Sequence, residues 1–322
     1  ILARGEQRWR EIMEEHDSFF VGSDVYYTFL VINDCWWERQ RHKDPTGFLE
    51  NNAAVRTRML NGRFPGYVID RFMDMLDYYG TSPIIVRSSS LLEDNFGNAF
   101  AGKYDSVFCT MQGTREERLE EFLSAVRRIY ASTISDDALA YRKKRGILDQ
   151  DEQMALLVQR VSGDRYESES GGRRWFFPHV GGVAFSHNPW AWHRSIDPHA
   201  GLARLVFGLG TRAVDRVDDD YTRIVALNAP NRRPESQPAE IRDRSQRRVD
   251  VLDLTQEALS GVYFADLLNE GIPLPAQAVA SYDRDLASWF LTFDRLLNRG
   301  PLVHDLRAML STLRKASGTE IE

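Results

Sequence analysis

Cysteine is nearly missing from this chain, with Cys35 and Cys109 the only two among 322 residues. Two thiols cannot build the multi-bridge framework of a small secreted domain, and neither sits in a spacing that would hold zinc, so reduced thiols in a cytoplasmic protein are the expectation. No apolar run approaches the ~20 residues needed to span a bilayer, and the N-terminus has no signal-peptide pattern. Positive charge is not in excess either: 41 Lys and Arg against 47 Asp and Glu leave a net charge of −6. The surface as a whole therefore attracts neither nucleic acid nor an anionic membrane, and any phosphate site has to be assembled locally. What is present is 43% hydrophobic and 27% charged residues, a soluble globular composition. The length suits two or three modest lobes. The chain starts at Ile1 without a methionine and closes on Glu-Ile-Glu, which suggests a piece of a larger protein.

The stretch that organises the rest is Pro83 to Cys109, PIIVRSSSLLEDNFGNAFAGKYDSVFC. An apolar strand (Ile84, Ile85, Val86) runs into Arg87, three serines and a glycine-punctuated loop, and a second strand follows at Val107 to Cys109. That order suits a polyanion. An arginine at a strand end offers a planar fork of donors that matches phosphate oxygens, and Ser88, Ser89 and Ser90 add hydroxyls. Gly97 and Gly102 allow backbone N–H groups to approach a ligand closely. The same residues also fit a hairpin whose arginine pairs with Glu93 or Asp94.

VRSSSLLEDNFGNAFAGKYDSV resembles the V-R-S-S-A-x-x-E-D-x-x-x-x-S-F-A-G-x-x-x-T segment of the ATP-binding domain shared by phosphoenolpyruvate synthase, pyruvate phosphate dikinase and rifampin phosphotransferase. The match is ungapped, with 15 positions from Arg87 to Gly102 and 19 from Arg87 to Ser106. The resemblance implies an α+β, ATP-grasp-like fold in which two α/β lobes flank a nucleotide cleft, with a helical N-terminal region. It suggests residues 1–82 as a mainly helical part of the first lobe, 83–155 as the phosphate-binding subdomain and 156–322 as the second subdomain.

The first 80 residues read as mainly helical. A short amphipathic helix carries Ile12 and Met13, and Ser23 or Asp24 caps a second with Tyr26, Tyr27, Phe29 and Leu30. Cys35, Trp36 and Trp37 read as a packing anchor, because no basic residues alternate with them as in a base-stacking platform. Further helices are expected from about Pro45 to Leu60 and from Pro65 to Gly80, the latter with Val68, Ile69, Phe72, Met73 and Leu76 inward. Thr114 and Glu117 form a capping box before an apolar stripe from Leu119 to Tyr130. Ser135 or Asp136 opens the next helix, ended by Gly146, whose Arg142-Lys143-Lys144-Arg145 run suits a helix C-terminus.

Gln153 to Val161 is an apolar strand with a polar end. In the resembling family such a strand holds the adenine, which would give Gln159 a side-chain contact and Arg160 and Val161 the adjacent backbone; a simple strand end fits Gln159 as well. Residues 163–173 read as a polar hairpin tip. Gly181 to Pro189 resembles S-G-V-x-F-T-x-x-P, and Gly208-Leu209-Gly210 resembles G-L-G-E with Thr211 in place of the acid. His187 is not expected to accept phosphate, since the acceptor in the family belongs to a separate domain. Asn231 to Arg248, with mixed charge, reads as a solvated, mobile excursion. Val249 to Leu254 reads as a strand, and Arg284 to Leu297 and Pro301 to Lys315 as helices.

At the end, Glu320 and Glu322 would share one side of a strand, and paired oxygen ligands suit Mg²⁺. They resemble the metal-binding D-I-E of the family, with glutamate for aspartate at Glu320. The G-G-K-x-x-x-L segment and the later L-Q-x-R motif find no counterpart in the chain. The resemblance thus implies ATP and Mg²⁺ as cofactors, Arg87 as the catalytic phosphate clamp, Gly102 and Ser106 as phosphate donors and Glu320 with Glu322 as metal ligands. It further implies that ATP's β-phosphate passes to a carrier histidine on a phosphohistidine domain, working with a phosphoenolpyruvate/pyruvate domain elsewhere in the full-length protein. A non-catalytic nucleotide sensor is the alternative, and an ATP-grasp ligase joining a carboxylate to an amine is a weaker one.

Overall fold

The computed structural model describes residues 2–5, 7–14, 17–90, 92, 104–214 and 221–321. The chain divides into two compact units, 16–161 and a second made of 162–322 together with 1–15. The division falls after Val161, not at 155, and residues on both sides of position 82 share a single sheet in the first unit.

That sheet has the order β1-β4-β2-β3, from β1 (Ser18–Val21), β2 (Ile84–Ser90), β3 (Ser106–Cys109) and β4 (Met154–Arg160), all pairs antiparallel. β1 lies in the region expected to be helical. Four residues carry too little pattern to announce a strand, and Phe19-Phe20 becomes one by pairing along the edge of β4. The sequence alternates in β2 and β4: Ile84, Val86 and Ser90, and Met154, Leu156 and Val158, are buried on one face. The helix Arg115–Ser132 packs on β2 and β3, and Ser23–Ile32 on β4. Arg115–Ser132 begins with the expected capping box, Glu117 N–H donating to Thr114 Oγ1 and Thr114 N–H to Glu117. The helix Gly66–Tyr79 follows Pro65 and stops at Gly80, where φ is +61°.

Two helical expectations are corrected. The helix expected from Pro45 starts only at Asn52, because Asp44 accepts from the Thr46 amide at 3.0 Å and Asn51 sits at φ +57°, a turn rather than a helical path. In the second unit, the helix expected over Arg284 to Leu297 is replaced by the second half of a hairpin, whose strands Ala280–Asp283 and Ser288–Leu291 pair antiparallel, followed by the helix Asp294–Arg299. Asp283 Oδ1 accepts from the amides of Asp285 and Leu286, fixing a turn, and the aromatic pair Trp289-Phe290 then suits a strand.

The second unit builds three small antiparallel sheets among the described residues. β5 (Asp164–Glu167), β6 (Arg174–Phe177), β10 (Arg248–Asp253) and β11 (Ala258–Tyr263) form the first, and β7 (Gly181–Phe185), β8 (Leu202–Val206) and β9 (Arg223–Ala226) the second. β12 (Ala280–Asp283) and β13 (Ser288–Leu291) form the third. The region 231–248 is not a solvated excursion throughout. It holds the helix Pro238–Asp243, and the buried Gln246 accepts from the Phe207 amide at 2.7 Å and donates to its carbonyl at 2.9 Å. The last helix, Leu302–Ser317, stands where expected. No helix of the described residues is long and apolar enough to cross a membrane.

Candidate functional site

Arg87 is not at a strand tip. β2 runs three residues past it, because Ser88, Ser89 and Ser90 continue to pair with Leu156, Ala155 and Met154. Arg87 is therefore held mid-sheet, opposite Ser106 on one side and Leu157 on the other. Cross-strand partners share a face, and residues two apart in a strand do too. The register consequently puts Ser18 and Phe20 of β1, Leu157 and Gln159 of β4, Ile85 and Arg87 of β2, and Ser106 and Phe108 of β3 on the face away from the helices. Arg87 and Ser106 are exposed, and Phe20 is 77% exposed. Arg87 forms no ion pair with any described residue, so the hairpin alternative in which it is neutralised by Glu93 or Asp94 concerns residues outside the described ones, as does Gly102. Three of the expected nucleotide residues, Arg87, Ser106 and Gln159, thus lie on one surface.

Arg160 lies on the opposite face. Its guanidinium pairs with Asp17 at 2.9 Å and stacks over Tyr79, 5.3 Å from the ring centre. Its amide donates to the Asp17 carbonyl and that of Val161 to the Pro83 carbonyl. The backbone donors expected to read an adenine edge are already satisfied within the unit, since β4 lies between β1 and β2 and the residues just before those strands supply the acceptors.

Beneath this sheet lies a carboxylate that the sequence reading missed. Glu152 is 1% exposed and accepts from Ser90 Oγ and from Tyr104 Oη. Ser90 ends β2 and Tyr104 precedes β3, so one buried side chain ties both feet of the signature loop. Ser90 Oγ also accepts from the Leu92 amide at 3.0 Å. Burial first, and the Glu152 charge second, push the Tyr104 hydroxyl far up, which keeps it a proton donor. Arg142, assigned from its basic run to the helix end, is instead fully buried and donates to the Gln150 carbonyl at 2.6 Å. One signal was available: Arg142 stands three and four residues beyond Leu139 and Ala138, on their buried stripe. Glu152 had none, being one of three carboxylates in DQDE.

The second unit gathers another set of groups around Glu320. The expected terminal strand does not form: Thr319 to Ile321 has no regular structure, and Glu322 lies outside the described residues. Instead the Ser186 amide donates to the Ile321 carbonyl at 2.8 Å, the Ile321 amide returns to Ser186 Oγ at 2.8 Å, and that hydroxyl donates to Glu320. This hydrogen bond, with help from Arg314 and the imidazoles of His187 and His199, holds the Glu320 carboxyl below the usual range. The three side chains His187, His199 and Glu320 offer ligand atoms within 4.8 Å of one another. The glycine turn after β8 is tight: Gly208 has φ +88°, and a Cβ there would meet Val249 and the Asp250 carbonyl. Thr211, in the place of the family acid, donates to Asp250 at 2.7 Å beside the Arg212–Asp250 ion pair of 2.8 Å.

Residues 7–281 match the family described as pyruvate phosphate dikinase, AMP/ATP-binding domain. A stretch of 129 residues is 30% identical to rifampicin phosphotransferase of Streptomyces sviceus, covering 40% of this chain and 12% of that protein. The chain thus corresponds to a small part of that relative's length. With a family match over most of its residues, and with the α/β architecture of antiparallel sheets and helices described above, this chain belongs to the pyruvate phosphate dikinase AMP/ATP-binding domain family.

Proposed function

We propose that the chain is the nucleotide-binding part of a dikinase-type phosphotransferase, in which ATP's β-phosphate passes to a carrier histidine on a separate domain with AMP and phosphate as the other products. The observation that carries this reading is Arg87, exposed at the middle of a sheet face, beside Ser106 and without a carboxylate partner among the described residues. A strand backbone fixes its origin, and the guanidinium fork suits two phosphate oxygens at once. Ser106 adds a hydroxyl, Leu157 and Phe20 offer apolar surface, and Gln159 stands one row further along for the base. In phosphoryl transfer the protein chiefly positions the groups and stabilises charge, and these residues suit that task.

Mg²⁺ is a hard ion that takes oxygen ligands. The described groups around Glu320 are two imidazoles, a hydroxyl and the Arg314 guanidinium, which do not fit it. The phosphohistidine and phosphoenolpyruvate/pyruvate domains are proposed as partners in a longer cytoplasmic protein. A nucleotide sensor without turnover is the second reading. It is favoured by Thr211, whose hydroxyl is committed to Asp250 where relatives carry an acid.

Calorimetric titration with ATP tests the site. Arg87→Ala is expected to weaken binding by about 10-fold or more, the equivalent of a charge-assisted hydrogen bond, with the melting temperature unchanged because the side chain is exposed. Equal affinity in the two proteins would remove Arg87 from the site. In the longer protein, ATP-dependent labelling of a histidine with release of AMP separates transfer from sensing.

A further inference from the structure

His187, His199 and Glu320 come from three separate stretches of the second unit, and what joins them is backbone. His187 lies between two buried residues, Ser186 and Asn188, 3% and 1% exposed. The Ser186 amide is bonded to the Ile321 carbonyl, next to Glu320, and the Asn188 amide to the Pro198 carbonyl, next to His199, each at 2.8 Å. The strand end carrying one imidazole is thereby pinned on one side to the carboxylate segment and on the other to the second imidazole. His199 is fixed in turn by its amide, which donates to Asp197 Oδ1 at 2.9 Å. Its ring lies 5.4 Å from that of His187, centre to centre.

We propose that His187, His199 and Glu320 form a binding site for a divalent transition cation of the Zn²⁺ class. Two imidazoles and one carboxylate are a donor set that such ions prefer and that Mg²⁺ and Ca²⁺ do not. Donor atoms on a tetrahedral Zn²⁺ stand about 3.4 Å apart for bonds of ~2.1 Å. From separations within 4.8 Å, modest side-chain rotations close that gap. Ser186 Oγ already donates to one oxygen of Glu320, orienting the carboxylate as an outer hydrogen bond orients a metal ligand. Arg314, 3.9 Å from the other oxygen, is too distant to hydrogen-bond it and donates instead to the His199 carbonyl at 3.4 Å; one-third exposed, it would have to give up that long contact to turn toward water when a cation binds. Three protein ligands leave a fourth position for water or an anion. His199 and Ser186 also line a cavity of about 810 Å³ that Arg307 and Arg314 make cationic, and a bound anion would enter from there.

The test uses the full chain, stripped of metal by chelator and free of nucleotide. Titration with Zn²⁺ alone is expected to show one equivalent bound, and Co²⁺ in its place to give the visible absorption of a four- or five-coordinate ion. A thousand-fold excess of Mg²⁺ should displace neither. His199→Ala and Glu320→Gln should each weaken Zn²⁺ binding by at least about 100-fold while the metal-free melting temperature holds, since both side chains are exposed. If His199→Ala fails to fold, His187→Gln is read in its place. Absence of Zn²⁺ binding, unchanged affinity in a His187→Gln/His199→Ala double variant, or displacement by Mg²⁺ would each overturn the site. None of these outcomes depends on Arg87 or on ATP.

Discussion

The two units use their buried polar groups differently. Among the described residues of 16–161 a single four-stranded sheet and long helices enclose one continuous core, and its buried polar groups include three charged ones: Glu152, Arg142 and Arg39 are all at least 96% buried. In the other unit three small sheets among the described residues are joined by turns, held by backbone amides, glycines and the buried amide side chain of Gln246, and its buried charges serve turns too: Asp253 accepts from the Thr255 and Gln256 amides and Arg223 donates to the Pro230 carbonyl. Long regular elements satisfy their own backbone and leave side chains to solve the interior, whereas short strands leave many backbone groups for turns and side chains to satisfy. The first unit should accordingly break through a buried charge, and the second through a turn.

The largest effect is expected at Glu152. Glu152→Ala leaves Ser90 and Tyr104 without their acceptor and Arg142 without a nearby buried anion, so urea unfolding should register a loss of about 3–5 kcal/mol. Loss of ATP binding with it would connect the loop feet to the nucleotide face. A change below about 1 kcal/mol would show that the carboxylate is not structural.

Gly208→Ala probes the second unit. A side chain at φ +88°, with Val249 Cγ1 in the way and the Asp250 carbonyl 2.7 Å from the added carbon, should cost about 3 kcal/mol, again by urea unfolding. If it is tolerated, the turn is looser than its neighbours indicate. The same substitution at Gly146, also at positive φ but with open space around it, should cost only about 1 kcal/mol.

A smaller, pH-dependent effect belongs to the first unit. Burial, and the charges of Arg39 and Arg142, bring His42 down from 6.5 to about 4. The unfolded chain therefore binds the proton first, and this contribution is complete above pH 6.5 and lost as the pH falls toward 4. With solvent screening allowed for, it amounts to about 2 kcal/mol. His42→Gln should flatten the acid limb of a stability-against-pH curve, and an unaltered limb would assign the loss to other groups.

Much of the first unit was legible. The stripe from Leu119 to Tyr130, the Thr114–Glu117 box and the Pro65-to-Gly80 helix each agree with what formed, because long periodic segments bury one face whatever they pack against. The hairpin at 280–291 and the turn at 44–51 were not legible, since Asp283 and Asp44 act through hydrogen bonds to nearby amides that helical spacing does not reveal. At the site, the residue types Arg87, Ser106 and Gln159 were readable one by one. Their common face depended on a register with β4, 70 residues further along, which no local pattern contains.

Sequence alone determined the signature around Arg87, the helices with clear periodicity and the family that the chain belongs to, because these depend on residue order over short spans. Tertiary structure decided that Arg87 stands mid-sheet, that Glu152 holds both ends of its loop, and that two histidines meet Glu320. Each of those is a meeting of residues far apart in the chain. Such meetings arise only when the entropy of closing long loops is offset by burial and hydrogen bonds formed at the same moment.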